Sequence, residues 1–169
     1  MTHMDFQLGD PRNLPAEDQQ VAALLMRAFV NEGHTDRANA ERLVAPGELR
    51  KRGALILARS SPTGTVVGMV ILAEPTSPTR QVARPDEAEV QLLAVDPAAR
   101  GHGLGKRLVV CCEQKARALG YARMVLSTQP VMTAAQRIYA GLGYRRNAER
   151  DWARPDGRAF LVYEKQLTA

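Results

Sequence analysis

Three glycines and two flanking cations form the part of the sequence best suited to chemistry. Gly101, Gly103 and Gly105 alternate with other residues between Arg100 and Lys106. Glycine tolerates positive φ and lets the backbone approach an anion closely, and Arg and Lys add charge-assisted hydrogen bonds. If a helix begins within this turn, its unpaired N–H groups and its dipole favour a phosphate. The segment therefore predicts either a phosphate-binding turn or only a tight connection between a strand and a helix.

Two familiar phosphate-binding motifs are excluded by residue identity. The P-loop ends in Gly-Lys followed by Ser or Thr, whose hydroxyl binds magnesium, but here Gly105-Lys106 is followed by Arg107. The dinucleotide fingerprint requires Gly-x-Gly-x-x-Gly, and Gly101, Gly103 and Gly105 do not have that spacing. The turn must therefore be of another type.

The pattern of apolar residues around this turn predicts a mixed α/β fold. After an N-terminal strand, strands are predicted at 54–58, Val66–Ala73, Glu87–Val95, Arg123–Thr128, after Gly143, and at 159–164. Helices are predicted from Pro15 onward and at 37–44, 103–119 and 133–142. This order gives a central sheet of about seven strands with flanking helices, and we expect residues 1–169 to form one domain.

Composition narrows the class of protein. The net charge is +5, but the basic residues are scattered and aromatic residues make up only 5%, which gives little support for a nucleic-acid-binding surface. No apolar stretch approaches the roughly 20 residues of a membrane span, and the N-terminus lacks a secretory pattern. Cys111 and Cys112 are adjacent, without metal-ligand spacing. We therefore expect a cytoplasmic protein with free thiols, no bound metal and no membrane contact.

Three linked motifs resemble those of the GNAT N-acetyltransferase superfamily. Residues 100–105 match its Arg/Gln-x-x-Gly-x-Gly/Ala loop, which binds the pyrophosphate of acetyl-CoA. Residues 93–97 resemble the strand end before that loop, and 135–144 look like the family's alanine, Leu/Ile-Tyr and Gly-Phe/Tyr signature. The resemblance is clearest over 89–144. It implies the GNAT fold, in which strand 4 carries a bulge and splays away from strand 5, and acetyl-CoA as co-substrate.

The resemblance also implies where acetyl-CoA binds. Its pantetheine arm would lie between the splayed strands and pair with the backbone as an added strand does. The implied contacts are Leu93, Ala94, Val95, Arg100, Gly101, His102, Gly103, Leu104, Gly105, Lys106, Thr133, Ala135 and Tyr139. Met132 stands where many members have an Asn that contacts the cofactor. The hydroxyl of Thr133 could replace that contact.

The reaction that the resemblance implies is direct transfer of an acetyl group to a primary amine. A backbone N–H near Leu93 would polarise the thioester carbonyl. Tyr139 occupies the position whose hydroxyl, in many members, donates a proton to the leaving thiolate. Its other interpretation is a core tyrosine on an amphipathic helix.

The general base is not identified by a motif. An amine of ordinary basicity must lose a proton before it attacks. Glu89 and Glu87, near the start of the central strand, are candidates that could act through water, or else solvated charges at a strand end. His34 and His102 are lesser candidates.

Other functions stay open at this stage. The acceptor could be a small molecule or a peptide amine, and the resemblance also allows a homodimer. A domain that binds acyl-CoA for sensing or assembly, without catalysis, would keep the same loop. A basic nucleic-acid-binding protein is the remaining, less favoured alternative.

Overall fold

The computed structural model describes residues 5–45, 47–61 and 63–168, and they form the predicted mixed α/β fold. The strands are β1 (Phe6–Gly9), β2 (Ala54–Ser60), β3 (Val66–Ala73), β4 (Glu87–Val95), β5 (Arg123–Thr128), β6 (Arg145–Arg146), β7 (Trp152–Ala153) and β8 (Ala159–Gln166). The helices are α1 (Pro15–Leu25), α2 (Arg37–Leu43), α3 (Glu48–Arg52), α4 (Leu104–Ala118) and α5 (Thr133–Gly141). The sheet order is β1-β2-β3-β4-β5-β8-β6, with β7 paired to β8.

Three elements differ from the sequence-based expectation. The sheet has eight strands in the described residues, because the two-residue β7 adds to the predicted seven. α3 was not predicted, since its sequence ELRKR buries no residue and so lacks a hydrophobic period. The first helix continues as a π-helix over Met26–Val30, a local geometry that is frequent at functional sites.

Both faces of the sheet are covered by hydrophobic core, and successive side chains of β3 point to opposite faces. Val70 and Leu72 join the cluster under α4 and α5, whereas Met69 and Ile71 join the cluster under α1. All four side chains are at most 1% exposed. Burial of each such side chain contributes roughly 1.5–3 kcal/mol, so the two clusters hold the helices against the central strands.

β4 separates from β5 partway along its length, as predicted. The parallel pairing runs from the start of both strands to Val90 and Leu126. β4 then continues to Val95 without a partner on that side in the described part of the chain. The two strands therefore diverge and leave backbone groups of β4 available to another molecule.

The other edge of β4 carries the predicted bulge. Gln91 and Ala94 pair with residues of β3 that are separated by a single position, so Leu92 and Leu93 together face one residue. Leu92 has φ +51°, a left-handed conformation that costs about 1–2 kcal/mol for a residue with a Cβ. The surrounding strands hold this conformation, which turns the backbone at Leu93 out of the regular ladder.

None of the helices in residues 5–45, 47–61 and 63–168 is long and apolar enough to cross a membrane. The same residues contain no group of three or more His, Cys, Asp or Glu placed to hold a metal ion. Residues 1–4, on which part of the expectation about the N-terminus depends, lie outside the described ranges.

Candidate active site

A cavity of about 430 Å³ lies between the end of β4, the turn before α4, and α5. We call it the loop cavity. Most of the predicted cofactor contacts line it: Leu93, Ala94, Val95, Arg100, Gly101, Gly103, Leu104, Gly105, Lys106 and Ala135. The structure thus brings the glycine turn close to α5, although α4 and β5 separate them in the sequence.

The turn before α4 has the geometry of an anion site. Gly101 and Gly103 have φ of +82° and +71°, conformations that glycine adopts without steric cost. α4 begins directly after them, so the unpaired N–H groups of its first turn lie at the cavity. A Cβ at Gly105 would lie 2.8 Å from Cδ1 of Ile138 on α5. The missing side chain at Gly105 therefore lets α4 pack closely on α5, whereas a Cβ at Gly101 or Gly103 would meet nothing within 4 Å, so the turn stays open to an anion.

The two cations of the turn differ in their partners. Arg100 Nη1 lies 2.6 Å from Glu32 Oε1, and Arg100 Nε donates to the Val95 carbonyl at 3.2 Å. Lys106 is exposed and has no carboxylate within 4.0 Å among the described residues. Together with the helix N-terminus they supply the positive charge and donors that a diphosphate requires.

Three predicted cofactor contacts lie elsewhere than on this cavity. The rings of His102 and Phe6 meet edge to face, with centroids 6.2 Å apart, and His102 Nδ1 is 3.0 Å from the Arg100 carbonyl. Thr133 begins α5 outside the lining, while its neighbour Met132 lines the cavity. The expectation that Thr133 replaces the family's Asn therefore gains no support from the geometry. The third residue, Tyr139, lines a neighbouring cavity.

This second cavity, of about 130 Å³, adjoins the first. The two share Phe29, His34, Leu93, Met132 and Ala135. The smaller one is further lined by residues that include Arg52, Gln91, Ser127, Thr128, Gln129, Tyr139, Arg154, Arg158 and Phe160. We call it the arginine cavity. Leu93, in the bulge of β4, lines both the loop cavity and the arginine cavity.

Tyr139 is buried at the arginine cavity, with 5% of its surface exposed. Its ring meets that of Tyr144 edge-on, with centroids 5.7 Å apart. Burial, with a smaller contribution from nearby Cys112, raises the pKa of the Tyr139 hydroxyl. The phenol therefore keeps its proton at neutral pH and can act as a donor.

His34 lies between the two cavities, and sequence reasoning gave it only a minor place. Its backbone carbonyl accepts hydrogen bonds from Gln129 Nε2 at 2.8 Å and from Arg158 Nη1 at 2.7 Å. Its Nε2 is 3.4 Å from Glu32 Oε2, and its Nδ1 is buried without a partner in the described residues. No motif surrounds His34 in the sequence, because Gln129 and Arg158, which bind its carbonyl, come from distant segments.

Glu89 is fully buried and holds a loop in place. Its carboxylate accepts hydrogen bonds from the backbone N–H groups of Gln81, Val82 and Ala83 at 2.9–3.1 Å and from Gln91 Nε2 at 2.8 Å. Both oxygens are thus occupied, and Glu89 does not line either cavity. This arrangement supports a structural role; the general-base role stays a prediction.

Glu87 is also fully buried, and not a solvated charge at a strand end. It accepts hydrogen bonds from Arg150 at 2.9 and 2.8 Å and from the Arg84 backbone at 2.9 Å. Burial raises the pKa of the Glu87 carboxyl, but the hydrogen bonds and the positive charge of Arg150 outweigh it and lower the pKa below its usual value. Glu87 lines neither cavity, so its predicted role as a base likewise gains no support.

Comparisons with known proteins agree with this geometry. Residues 19–144 match the model of the acetyltransferase (GNAT) family. Over 118 residues the chain is 30% identical to N-acetyltransferase 8B of Rattus norvegicus, an alignment that covers 69% of this chain and 49% of that protein. The chain spans 49% or less of the length of the curated relatives that it matches.

Solved structures share the fold at low identity. A GNAT-family acetyltransferase from Staphylococcus aureus Mu50 superposes with a TM-score of 0.75 at 17% identity, over 97% of this chain and 100% of that one. A putative acetyltransferase from Salmonella typhimurium, solved with acetyl-CoA, gives a TM-score of 0.64 at 19% identity, over 99% and 96% of the two chains. The family match includes both the glycine turn and α5, and the chain belongs to the GNAT acetyltransferase family.

Proposed function

We propose that this protein transfers the acetyl group of acetyl-CoA directly to a primary amine. The observation that carries the proposal is the meeting of two cavities at Leu93. One contains the glycine turn, whose geometry suits an anion, and the other contains the buried phenol of Tyr139. The free thiols Cys111 and Cys112 fit a reducing compartment, so we propose that the reaction takes place in the cytoplasm.

The glycine turn would bind the diphosphate of acetyl-CoA, with Arg100 and Lys106 as its cationic partners. The backbone of β4 beyond Val90 lacks a strand partner on the β5 side in the described residues, so it is free to pair with the amide groups of the pantetheine arm. The Leu93 N–H would then polarise the thioester carbonyl and stabilise negative charge on its oxygen.

Direct transfer needs the amine in its neutral form. The nitrogen lone pair attacks the thioester carbonyl, the carbon–sulfur bond breaks, and Tyr139 protonates the leaving thiolate. We propose that the His34 imidazole takes the proton that the amine nitrogen loses. The adjacent Glu32 carboxylate would stabilise the imidazolium that forms. His34 supports this role better than Glu87 or Glu89 because it lines both cavities.

The proposal is tested by binding and turnover together. Calorimetry with coenzyme A should show saturable binding at submillimolar concentration. Acetyl-CoA mixed with a panel of primary amines should release thiol in an amine-dependent, saturable manner. Absence of heat at millimolar coenzyme A would contradict the phosphate turn itself. Binding without amine-dependent thiol release would instead favour the alternative of a non-catalytic acyl-CoA-binding domain.

The role of His34 predicts a selective loss of turnover. We expect His34→Gln to lower kcat by about 10²-fold, because glutamine has no basic nitrogen, while coenzyme A affinity is kept. The bonds from Gln129 and Arg158 go to the backbone carbonyl, so they survive the substitution. Steady-state kinetics and calorimetry measure the two effects.

His102→Gln is the matched control. His102 is exposed and lines neither cavity, so its loss should leave kcat within about twofold of the wild-type value. Equal losses in both variants, or none in His34→Gln, would remove His34 from the mechanism.

A further inference from the structure

The arginine cavity is lined by three arginines that form no direct ion pair within the described residues. Arg52, Arg154 and Arg158 line it, and its lining contains no Asp or Glu. Within residues 5–45, 47–61 and 63–168, no carboxylate oxygen lies within 4.0 Å of any of these three guanidinium groups. By contrast, Arg59 and Arg150, whose side chains are also largely buried, are both paired with carboxylates.

The contacts of the three arginines are all with neutral groups. Arg52 Nη1 donates to Gln91 Oε1 at 3.2 Å, and Arg158 Nη1 donates to a backbone carbonyl at 2.7 Å. The guanidinium carbon of Arg154 lies 5.1 Å from the centre of the Phe160 ring. These contacts orient the guanidinium groups but leave their charge and many of their N–H donors unused.

The positive charges of Arg52 and Arg154 are close enough to repel each other. Burial and, to a smaller extent, the positive charge of Arg154 lower the pKa of Arg52, and they outweigh the opposite effects of Glu48 and Glu89. Bringing like charges together at a partly buried site costs free energy. A bound anion would relieve that repulsion, and a planar guanidinium can hold a carboxylate through two parallel hydrogen bonds.

We infer that the acceptor is a small amine that also carries a carboxylate, which the three arginines bind. The inference rests on the proposed function, since it takes the arginine cavity as the acceptor site. The volume of about 130 Å³ is below the usual 300–1,000 Å³ or so of ligand cavities, which suits a molecule of amino-acid size. The cationic lining disfavours polycationic acceptors.

The same charge would assist the chemistry. Nearby cations lower the pKa of an amine because they destabilise its ammonium form. An amino acid held by its carboxylate would therefore present a larger fraction of neutral nitrogen at Leu93 than it does in water. The three arginines would therefore both bind the carboxylate and favour the neutral, reactive form of the amine.

Matched substrate pairs test the inference. Common L-amino acids and their α-amides differ in the carboxylate, and the amides have the less basic nitrogen, so basicity alone favours the amide. We expect the acids to have kcat/KM at least about tenfold higher than their amides. Calorimetry of the same pairs against protein saturated with coenzyme A should show the same preference. If no acid binds or reacts better than its amide, the inference is wrong.

Arg154→Gln separates recognition from chemistry. This variant should lower kcat/KM for the acids about tenfold more than for the amides and leave coenzyme A affinity unchanged. Arg145→Gln, an exposed arginine on β6 outside both cavities, is the control with the same charge change and should match wild type. Equal responses of the two variants would overturn the inference.

Phosphoethanolamine against ethanolamine completes the panel. The ratio of kcat/KM for phosphoethanolamine to that for ethanolamine is compared with the acid-to-amide ratios. If it exceeds all of them, the cavity is a phosphate site, and the carboxylate assignment is overturned. If the protein binds coenzyme A but acetylates no amine, the proposed function fails. The calorimetric comparison of acids with amides then still decides which ligands the arginine cavity prefers.

Discussion

Tyr139→Phe is expected to lower kcat by about 10²- to 10⁴-fold, the usual contribution of a general acid, with coenzyme A affinity unchanged. The substitution removes one oxygen and keeps the ring. A thiolate that leaves without a proton source raises the barrier by about 1.4 kcal/mol for each tenfold loss. Single-turnover measurements of thiol release, beside calorimetry with coenzyme A, separate the chemical step from binding.

The structure explains why this hydroxyl suits the task. Tyr139 lines the arginine cavity, where the acceptor amine is proposed to bind, but not the loop cavity. Its side chain is therefore not part of the proposed phosphate site. Its raised pKa, caused mainly by burial, keeps the phenol protonated over the pH range in which the amine can be neutral.

Tyr144→Phe provides the control for burial and packing. Tyr144 belongs to the same aromatic cluster, is 4% exposed and lines neither cavity. Its loss of a hydroxyl should change kcat less than about twofold. If Tyr139→Phe and Tyr144→Phe behave alike, the proton must come from another group, and Tyr139 would be a core residue only.

The second large effect is expected on stability. Arg150→Met should lower the free energy of unfolding by about 3–5 kcal/mol, the usual cost of leaving a buried charge without its partner. The side chain of Glu87 is 0% exposed and that of Arg150 is 9% exposed. Arg150 also donates to Glu164 at 3.0 Å and to the Val82 carbonyl at 2.6 Å. Denaturant unfolding at neutral pH measures the loss.

The loss should depend on pH in a defined direction. The fold lowers the pKa of Glu87 below its unfolded value of 4.5, so the pair stabilises the protein fully above that pH and less as pH falls through the folded value. In Arg150→Met, burial without the cation would raise the pKa of Glu87 instead. The difference in stability between the two proteins should therefore narrow in acid.

A neighbouring ion pair supplies the control. Arg146 and Asp151 are each 31% exposed, and Arg146→Met should cost no more than about 1 kcal/mol. Glu87→Gln then distinguishes the roles of Glu87: a structural carboxylate predicts lower stability with unchanged kcat, whereas a general base predicts lost kcat in a folded protein. Equal stability of the Arg150→Met and Arg146→Met variants would contradict the buried-pair account.

The sequence by itself determined the local features of this protein. The glycine turn could be predicted because positive φ, close backbone approach and flanking cations are properties of consecutive residues. The bounds of β5 and nearly those of α4 followed from local apolar patterns: a short continuous run in β5, which is buried on both faces, and one apolar face in α4. The same signals failed for α3, which buries no side chain.

Tertiary structure decided what the site contains beyond the turn. The left-handed Leu92 lies in an apolar run where no residue type signals a bulge, since the neighbouring strands impose it. Arg52, Arg154 and Arg158 belong to segments far apart in the chain, and only the fold places them around one cavity. The hydrogen bonds that join Glu89 to the loop at residues 81–83 are likewise set by the fold, and its general-base role stays a prediction. Interactions between distant residues leave no pattern in local sequence, because their spacing is set by how the sheet and its loops pack.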